Sequence, residues 1–207
     1  MKKFRLFSLP MKENIEEFKN LIGARLHSIQ AVKIEVRRSD CVVEGLCKID
    51  FYKKTEDLKI NYNLDLFSQS HQNPITEDLH SLKIDILASP MNLQYTTSGK
   101  IIHTSNYPLL NAKVTNHMRG SKISKISFHG MNKKGDLKSD SFFMKEANFE
   151  SYYIQVINRI IFYHSNGALT DITAGSFNRI FVNQFIEEEK RINRIIENLS
   201  TPLFEIQ

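Results

Sequence analysis

Basic side chains are concentrated in one segment of the sequence, residues 111–145. This segment has 8 Lys and Arg against 2 Asp, although the whole chain of 207 residues has a net charge of only +5. Its basic residues are Lys113, Arg119, Lys122, Lys125, Lys133, Lys134, Lys138 and Lys145. Clustered cations bind the phosphates of nucleic acid, because each neutralised phosphate releases counterions. We predict that the first seven of these residues contact nucleic acid.

Aromatic and small polar side chains are interleaved with these cations. The aromatic and imidazole residues of the segment are His117, Phe128, His129, Phe142 and Phe143. Such rings can stack on bases when they are exposed, but they are equally compatible with a place in the core of their strands. An anionic membrane surface would also attract the segment, at about 1 kcal/mol per basic residue. A solvated face that keeps the protein soluble is the plainer alternative.

Acidic residues suggest a second chemistry, that of a metal-dependent nuclease. Glu44, Lys48 and Asp50 have even numbers and would share one face of a strand. Alternatively, Asp65 and Asp85 could form such a set around Mg²⁺, which prefers oxygen ligands. Because sets of this kind arise by chance in β-rich proteins, we assign no catalytic residue and no metal ligand.

A polar segment, residues 68–81, contains the best acid–base cluster. Its members are His71, Glu77, Asp78 and His80. A carboxylate beside an imidazole can transfer protons. Glu77 and Asp78 could equally begin a helical turn after Pro74, which is the plainer interpretation.

The motifs that bind common cofactors are missing from the sequence. There is no GxGxxG, no GxxxxGK[ST], no GxSxG, no HExxH and no CxxC. These absences disfavour nucleotide-binding α/β folds and leave a transition-metal site without support. We therefore expect no cofactor, and a binding protein rather than an enzyme.

Length and composition predict a single globular domain, residues 1–207. The chain is 41% hydrophobic and 25% charged, and no Pro/Gly/Ser-rich linker divides it. Without an apolar run of membrane-spanning length or a signal peptide, we expect an intracellular protein. Cys41 and Cys47 agree with a reducing compartment. On one strand they would lie about 20 Å apart, too far for a disulfide.

The first part of the chain predicts a helix followed by a β-meander. A helix over about 11–28 would carry an apolar stripe formed by Ile15, Phe18, Ile22, Leu26 and Ile29. Alternation with a period of two then predicts strands over 32–36, 41–51 and 58–66. The polar turns between these three strands are short, so they should pair in antiparallel fashion. Residues 68–81 are predicted to form a polar loop, followed by a further strand at 82–86.

The β-rich region should continue to about residue 173 and be followed by a helix. Shorter strands are predicted at 91–97, 100–104, 112–116, 126–128 and 137–144, with a turn at 133–136. Residues 152–164 fit either a helix or a strand, and their β-branched and aromatic side chains favour a strand. Asn166-Gly167 then predicts a hairpin. A long helix is predicted over about 176–199, capped by Ser176, with Phe181 and Phe185 on its apolar stripe.

These patterns together predict an α+β fold. Its core, about 30–173, would be an antiparallel sandwich or flattened barrel of about eight to ten strands, flanked by an N-terminal helix and a long C-terminal helix. The predicted function is a non-enzymatic binding protein that contacts nucleic acid through residues 111–145. By analogy of fold alone, this layout would suit a viral movement- or matrix-like protein. One alternative is a protein-interaction or assembly module that uses the C-terminal helix to bind a protein partner or to form a homo-oligomer. The other is a metal-dependent nuclease.

Overall fold

The computed structural model describes residues 2–8, 12–36, 40–54, 59–71, 79–90, 110–112, 121–136, 149–176, 179–185 and 201–207. Most of these residues lie in strands, which are, in chain order, β1 (Lys2–Ser8), β2 (Arg25–Val36), β3 (Asp40–Lys54), β4 (Lys59–His71), β5 (Leu79–Pro90), β6 (Leu110–Ala112), β7 (Ile123–Asp136), β8 (Phe149–His164), β9 (Leu169–Ala174), β10 (Arg179–Phe185) and β11 (Phe204–Ile206). One short helix, α1 (Lys12–Asn20), lies between β1 and β2. Within these ranges no helix is long and apolar enough to cross a membrane.

All the strands belong to one sheet, which is organised by its two longest members, β3 and β8. On one side β8 pairs with β7 along nearly its whole length, and on the other it pairs with β1 over residues 149–156 and with β9 over residues 159–163. Strand β3 is arranged in the same way, with β2 on one side and β10 and β4 end to end on the other. The pairing of β1 with β8 is parallel, whereas the other pairings described are antiparallel.

The sheet curls into a half-barrel. Its strand order is β11-β7-β8-β9-β10-β3-β2-β6, and β4 and β5 extend it from β3. Within the described part of the chain β5 is hydrogen bonded only to β4, yet it contacts β8 and β9 across the interior. The main hydrophobic core therefore lies inside the curl, between the two halves of the same sheet.

Aromatic side chains join the elements that surround this core. Phe51 of β3 packs against Phe162 of β8, with 5.2 Å between the ring centroids. Phe128 of β7 contacts Phe18 of α1 at 4.9 Å and stacks on Phe204 of β11 at 4.1 Å. Each such pair contributes roughly 0.5–1.5 kcal/mol beyond the burial of its surface. The contacts of Phe128 thus hold the helix and the last strand against β7.

The N-terminal helix is shorter than the predicted span of 11–28. Gly23 has a φ of +81°, a left-handed conformation that ends helices and that glycine adopts without strain. Its amide donates a 2.8 Å hydrogen bond to the Ile123 carbonyl, and β2 begins at Arg25. Leu26 and Ile29 both face the core from β2 because a bulge lies between them. Because of that bulge, two residues that face the core are three positions apart in the sequence, which is also the spacing of an apolar stripe on a helix.

The predicted α+β class and its C-terminal helix are wrong. Arg179–Phe185 forms strand β10, which lies between β9 and β3. Phe181 and Phe185 have helical spacing in the sequence. Ile180 and Val182 are fully buried and alternate as in a strand. Residues 186–200 lie outside the described residues. The fold is β-dominated, and a curled sheet replaces the predicted sandwich or flattened barrel.

Other predictions about the strands have mixed outcomes. The meander is confirmed as β2–β4, and the further strand at 82–86 is part of β5. The predicted loop at 68–81 is too long, because residues 68–71 end β4 and residues 79–81 begin β5. Residues 152–164 form most of strand β8, and Asn166-Gly167 connects β8 to β9. The turn predicted at 133–136 is wrong, because these residues continue β7. The strands predicted at 91–97, 100–104 and 137–144 lie outside the described residues. Both cysteines are on β3, and Cys47 is buried in the core.

A β-bulge interrupts the pairing of β7 with β8. His129 pairs with Arg159 and Gly130 with Ile157, so one extra residue of β8 lies between the two pairs. The bulge allows Ile157 to join the main core with Ile160 and Phe162 despite its odd number. Beyond it, Ile154 and Val156 contribute to a second hydrophobic cluster with Leu79 of β5. The bulge therefore determines on which face of the sheet the side chains of residues 149–157 of β8 lie.

A buried histidine ends strand β8. His164 is 4% exposed, and its Nε2 is hydrogen bonded to Thr170 Oγ1 of β9 at 2.9 Å. Burial lowers the pKa of this imidazole from 6.5 to about 4, because the interior disfavours the charged form. His164 is therefore neutral in the folded protein near pH 7.

The bulge should depend on the missing side chain of Gly130. A Cβ at this position would lie 1.8 Å from the carbonyl oxygen of Val156, so Gly130→Ala must displace the backbone. We expect a loss of roughly 2–3 kcal/mol in the free energy of unfolding. Urea denaturation checks this loss, with Asn132→Ala, an exposed position on the same strand, as the control. Equal stability of the two variants would contradict the close approach.

The folded protein should lose stability as pH falls through the titration of His164. The unfolded chain takes up a proton near pH 6.5 and the folded chain near pH 4, so the unfolded state is favoured increasingly between these values. At pH 4.5 this costs roughly 2 kcal/mol relative to pH 7.5. His164→Gln, which cannot titrate, should reduce the pH dependence by that amount in urea denaturation. Identical pH profiles for the two proteins would contradict it.

Candidate nucleic-acid interface

Strand β1 presents two different faces. Phe4 and Leu6 pack against the second hydrophobic cluster, which contains Ile154 and Val156 of β8. Because successive residues of a strand point to opposite faces, the burial of these two side chains directs Lys3 and Arg5 to the other face. Both cations are exposed there.

The register of β1, β8 and β7 brings basic residues of distant segments together. Arg5 is paired with Tyr153 of β8, and Tyr153 is paired with Lys134 of β7. Lys3 lies one row farther along, opposite Ser151. Neighbouring strands are about 4.8 Å apart, so the row places a cation on each side of the tyrosine. No bulge separates Tyr153 from Ile157, and alternation therefore puts this row on the face of β8 that carries the main core.

These residues line an open cleft of about 660 Å³. Its lining consists of Lys3, Arg5, Lys134, Gly135, Ser151, Tyr152 and Tyr153. A Cβ at Gly135 would lie 2.9 Å from the hydroxyl oxygen of Tyr152, so the tyrosine extends over the glycine. The hydroxyl of Tyr153 donates a hydrogen bond to Gln155 Oε1 at 3.3 Å. The described lining thus contains three cations and two tyrosines and no acidic residue.

Several cations of the protein form ion pairs, whereas those of the cleft have no ion-pair partner among the described residues. Lys33 and Arg179 both contact Glu44, and Lys48 lies 3.8 Å from Asp65. For Lys3, Arg5 and Lys134 no such contact is found in the part of the chain that the structure describes. Unpaired cations on one surface create a positive potential that attracts anions.

The structure divides the predicted basic patch. Lys113, Arg119 and Lys138 lie outside the described residues. Lys122 is exposed just before β7, whereas Lys133 and Lys134 are exposed near its other end. The strand separates Lys122 from Lys133 by about 36 Å. Of the predicted contact residues that are described, only Lys134 lines the cleft, and Lys133 points to the opposite face of the strand.

Lys125 has a structural role instead. Its Nζ lies 2.6 Å from Glu205 Oε1 of β11 and 5.1 Å from the centroid of the Tyr163 ring. Only 29% of the side chain is exposed. The ion pair and the cation–π contact hold β11 and β8 against β7, so this lysine is occupied by partners within the protein.

The described aromatic residues of the segment also belong to the interior. Phe128 is fully buried in the main core, and His129 is 4% exposed with its Nε2 hydrogen bonded to Ser127 Oγ at 2.8 Å. Neither ring can stack on a base in this conformation. His117, Phe142 and Phe143 lie outside the described residues.

The acidic residues considered for a nuclease are not gathered into one site. Glu44 is hydrogen bonded to Lys33 at 2.7 Å, which lowers the pKa of its carboxyl. Six residues of β3 separate Glu44 from Asp50, a distance of about 20 Å. Asp65 pairs with Lys48 instead, and the side chain of Asp85 is not described. Among the described residues no group of three His, Cys, Asp or Glu could hold a metal ion.

The histidines of residues 68–81 connect the adjoining ends of β4 and β5. His71 Nε2 and Ser81 Oγ are hydrogen bonded at 2.6 Å, and His80 Nδ1 and Ser70 Oγ at 3.0 Å. Burial lowers the pKa of His71, and the charge of His80 lowers it further. Ser81 is fully buried and thus closed to a substrate. Glu77 and Asp78 lie outside the described residues, so the predicted acid–base cluster stays untested.

Sequence reasoning did not identify Lys3, Arg5, Tyr152 and Tyr153 as a site. The alternation of Lys3 and Arg5 with Phe4 and Leu6 is a strand signal that was available in the sequence. The partner of that strand lies almost 150 residues away in the chain. Only the parallel pairing of β1 with β8 brings these cations to Tyr153 and Lys134.

Comparisons with protein-family models, with curated proteins and with solved structures find no match for this chain. The functional assignment therefore depends on the geometry and chemistry of the cleft.

Proposed function

We propose that this protein binds nucleic acid through the cleft between β1, β8 and β7, with little dependence on base sequence. The observation that supports this proposal is the row of Arg5, Tyr153 and Lys134, with Lys3 beside it. Cations neutralise phosphates, and an aromatic ring between them offers a surface to a base. Of the basic residues that the sequence predicts to contact nucleic acid, Lys134 lies in this site.

The number of cations sets the expected strength of binding. Three phosphate contacts correspond to a slope of about −2 in a plot of log K against log salt for a single strand. Binding that is mainly electrostatic has dissociation constants on the order of 10⁻⁴–10⁻⁶ M at physiological salt. We therefore expect measurable binding at low salt that weakens steeply as salt is added.

The tyrosine between two cations favours a nucleic acid strand over an anionic membrane surface. An anionic lipid surface attracts basic residues by charge alone, whereas bases also stack on aromatic rings. Arg5 and Lys134 are both paired with Tyr153. The proposal includes an intracellular location, where nucleic acid is available. The viral movement- or matrix-like role stays a prediction.

The proposal can be tested by neutralising the cations of the cleft. The triple variant Lys3→Gln, Arg5→Gln, Lys134→Gln should bind a fluorescein-labelled oligonucleotide at least ~10-fold more weakly at 50 mM salt, and its salt slope should fall by about 2. Fluorescence anisotropy measures both quantities. All three side chains are exposed, so urea denaturation should show nearly unchanged stability.

A matched triple variant separates the cleft from net charge. Lys54→Gln, Lys83→Gln, Lys122→Gln removes the same charge from exposed positions that do not line the cleft. It should retain most of the affinity. Loss of binding in this variant, with the cleft variant unaffected, would refute the site. Binding to phosphatidylserine vesicles with no binding to any oligonucleotide would refute the nucleic-acid ligand.

A further inference from the structure

We infer that the cleft holds one unstacked nucleotide, with its base against Tyr153, so that single-stranded nucleic acid is preferred to duplex. This inference rests on the proposed function and adds the form of the ligand. It is drawn from the position of the tyrosine between two cations, from the volume of the cleft, and from the different surroundings of its two tyrosines.

The spacing of the row suits one nucleotide. Arg5 and Lys134 are the direct neighbours of Tyr153 on its two sides, so their Cα atoms are roughly 10 Å apart. Long flexible side chains at these positions can reach past the ring on both sides. A base that lies on the ring then has its own phosphate near one cation and the next phosphate near the other.

The cleft is too small for more than a local part of a nucleic acid. Its volume of about 660 Å³ falls within the roughly 300–1,000 Å³ that is typical of sites for small molecules. In a duplex the bases are stacked and present only their edges in the grooves. Turning one base out of a duplex costs a few kcal/mol, whereas a single strand does not pay the pairing part of this cost.

The two tyrosines of the cleft have different surroundings. Tyr152 packs against the second hydrophobic cluster and extends over Gly135, so its ring belongs to that face of β8. Tyr153 lies on the other face of β8, between the cations, and its hydroxyl is directed to Gln155 at 3.3 Å. Tyr153 is therefore the ring that we assign to base stacking.

The stacking role can be separated from the charges by two substitutions of Tyr153. Tyr153→Leu removes the aromatic ring and should lower the affinity for oligothymidylate about tenfold, since stacking on an aromatic residue contributes about 1–3 kcal/mol per base. Tyr153→Phe keeps the ring and should bind like the unmodified protein. Neither change should alter the slope of log K against log salt. The affinity for a hairpin duplex, which should be lower than that for the single strand, should also stay the same in both variants. Fluorescence anisotropy measures these quantities.

Photochemical cross-linking gives a second readout that a purely structural role would not produce. Irradiation of an oligonucleotide that carries 5-iodouracil should attach it to the peptide containing Tyr153, as identified by mass spectrometry. A cross-link at another surface, or none in a complex that binds, would overturn the inference.

The outcomes distinguish this inference from the proposed function. If neither single strands nor duplex bind at low salt, the proposed function itself fails. If both bind equally, and Tyr153→Leu changes neither affinity while the triple Gln variant weakens both, the cleft binds phosphates only and the inference fails alone. Preference for the single strand that is lost in Tyr153→Leu and kept in Tyr153→Phe supports it.

Discussion

The pairing of β8 on both of its sides is the constraint on which the rest of the structure depends. A buried strand must satisfy its backbone donors and acceptors. Strand β7 does this on one side, but β9 covers only residues 159–163 on the other. The N-terminal strand β1 pairs with the remaining residues 149–156 in the parallel direction. The cleft is a consequence of this pairing, because it is the only contact that brings Arg5 beside Tyr153 in the described structure.

The bulge at Gly130 and the burial of β1 decide which side chains reach the cleft. A one-residue shift in a strand reverses the face of every residue that follows. The bulge puts Ile157, and with it Tyr153, on the face of the main core, and it puts Ile154 and Val156 in the second cluster. Phe4 and Leu6 pack on that cluster and so direct Lys3 and Arg5 toward Tyr153. Hydrophobic contacts on one face of the sheet thereby position charges on the other.

Ion pairing separates the basic residues that are available to a ligand from those that stabilise the fold. Lys125 and Lys134 lie on the same strand, but Glu205 and the Tyr163 ring contact Lys125. The net charge of the chain, +5, does not reveal this difference. An exposed ion pair contributes only about 0–1 kcal/mol, yet each one removes a cation from the set that could attract phosphates. The position of acidic partners thus excludes Lys125 from the candidate site, whereas the strand register places Lys134 in it.

Local patterns in the sequence were sufficient to predict much of the sheet, and tertiary contacts decided the remainder. The alternation in β2, β3, β4 and β5, and the Asn166-Gly167 hairpin, are determined by neighbouring residues, because side-chain period and turn conformation are local properties. The sequence of Arg179–Phe185 predicts a helix, because its two phenylalanines have helical spacing. The segment forms a strand because it pairs with β9 on one side and with β3 on the other. The cleft was likewise beyond local patterns. Sequence determined that Lys134 is part of a basic segment, but the parallel partner of β8 lies almost 150 residues away. Pairing over such a distance depends on the loops, the bulge and the core together, and only the tertiary structure decided it.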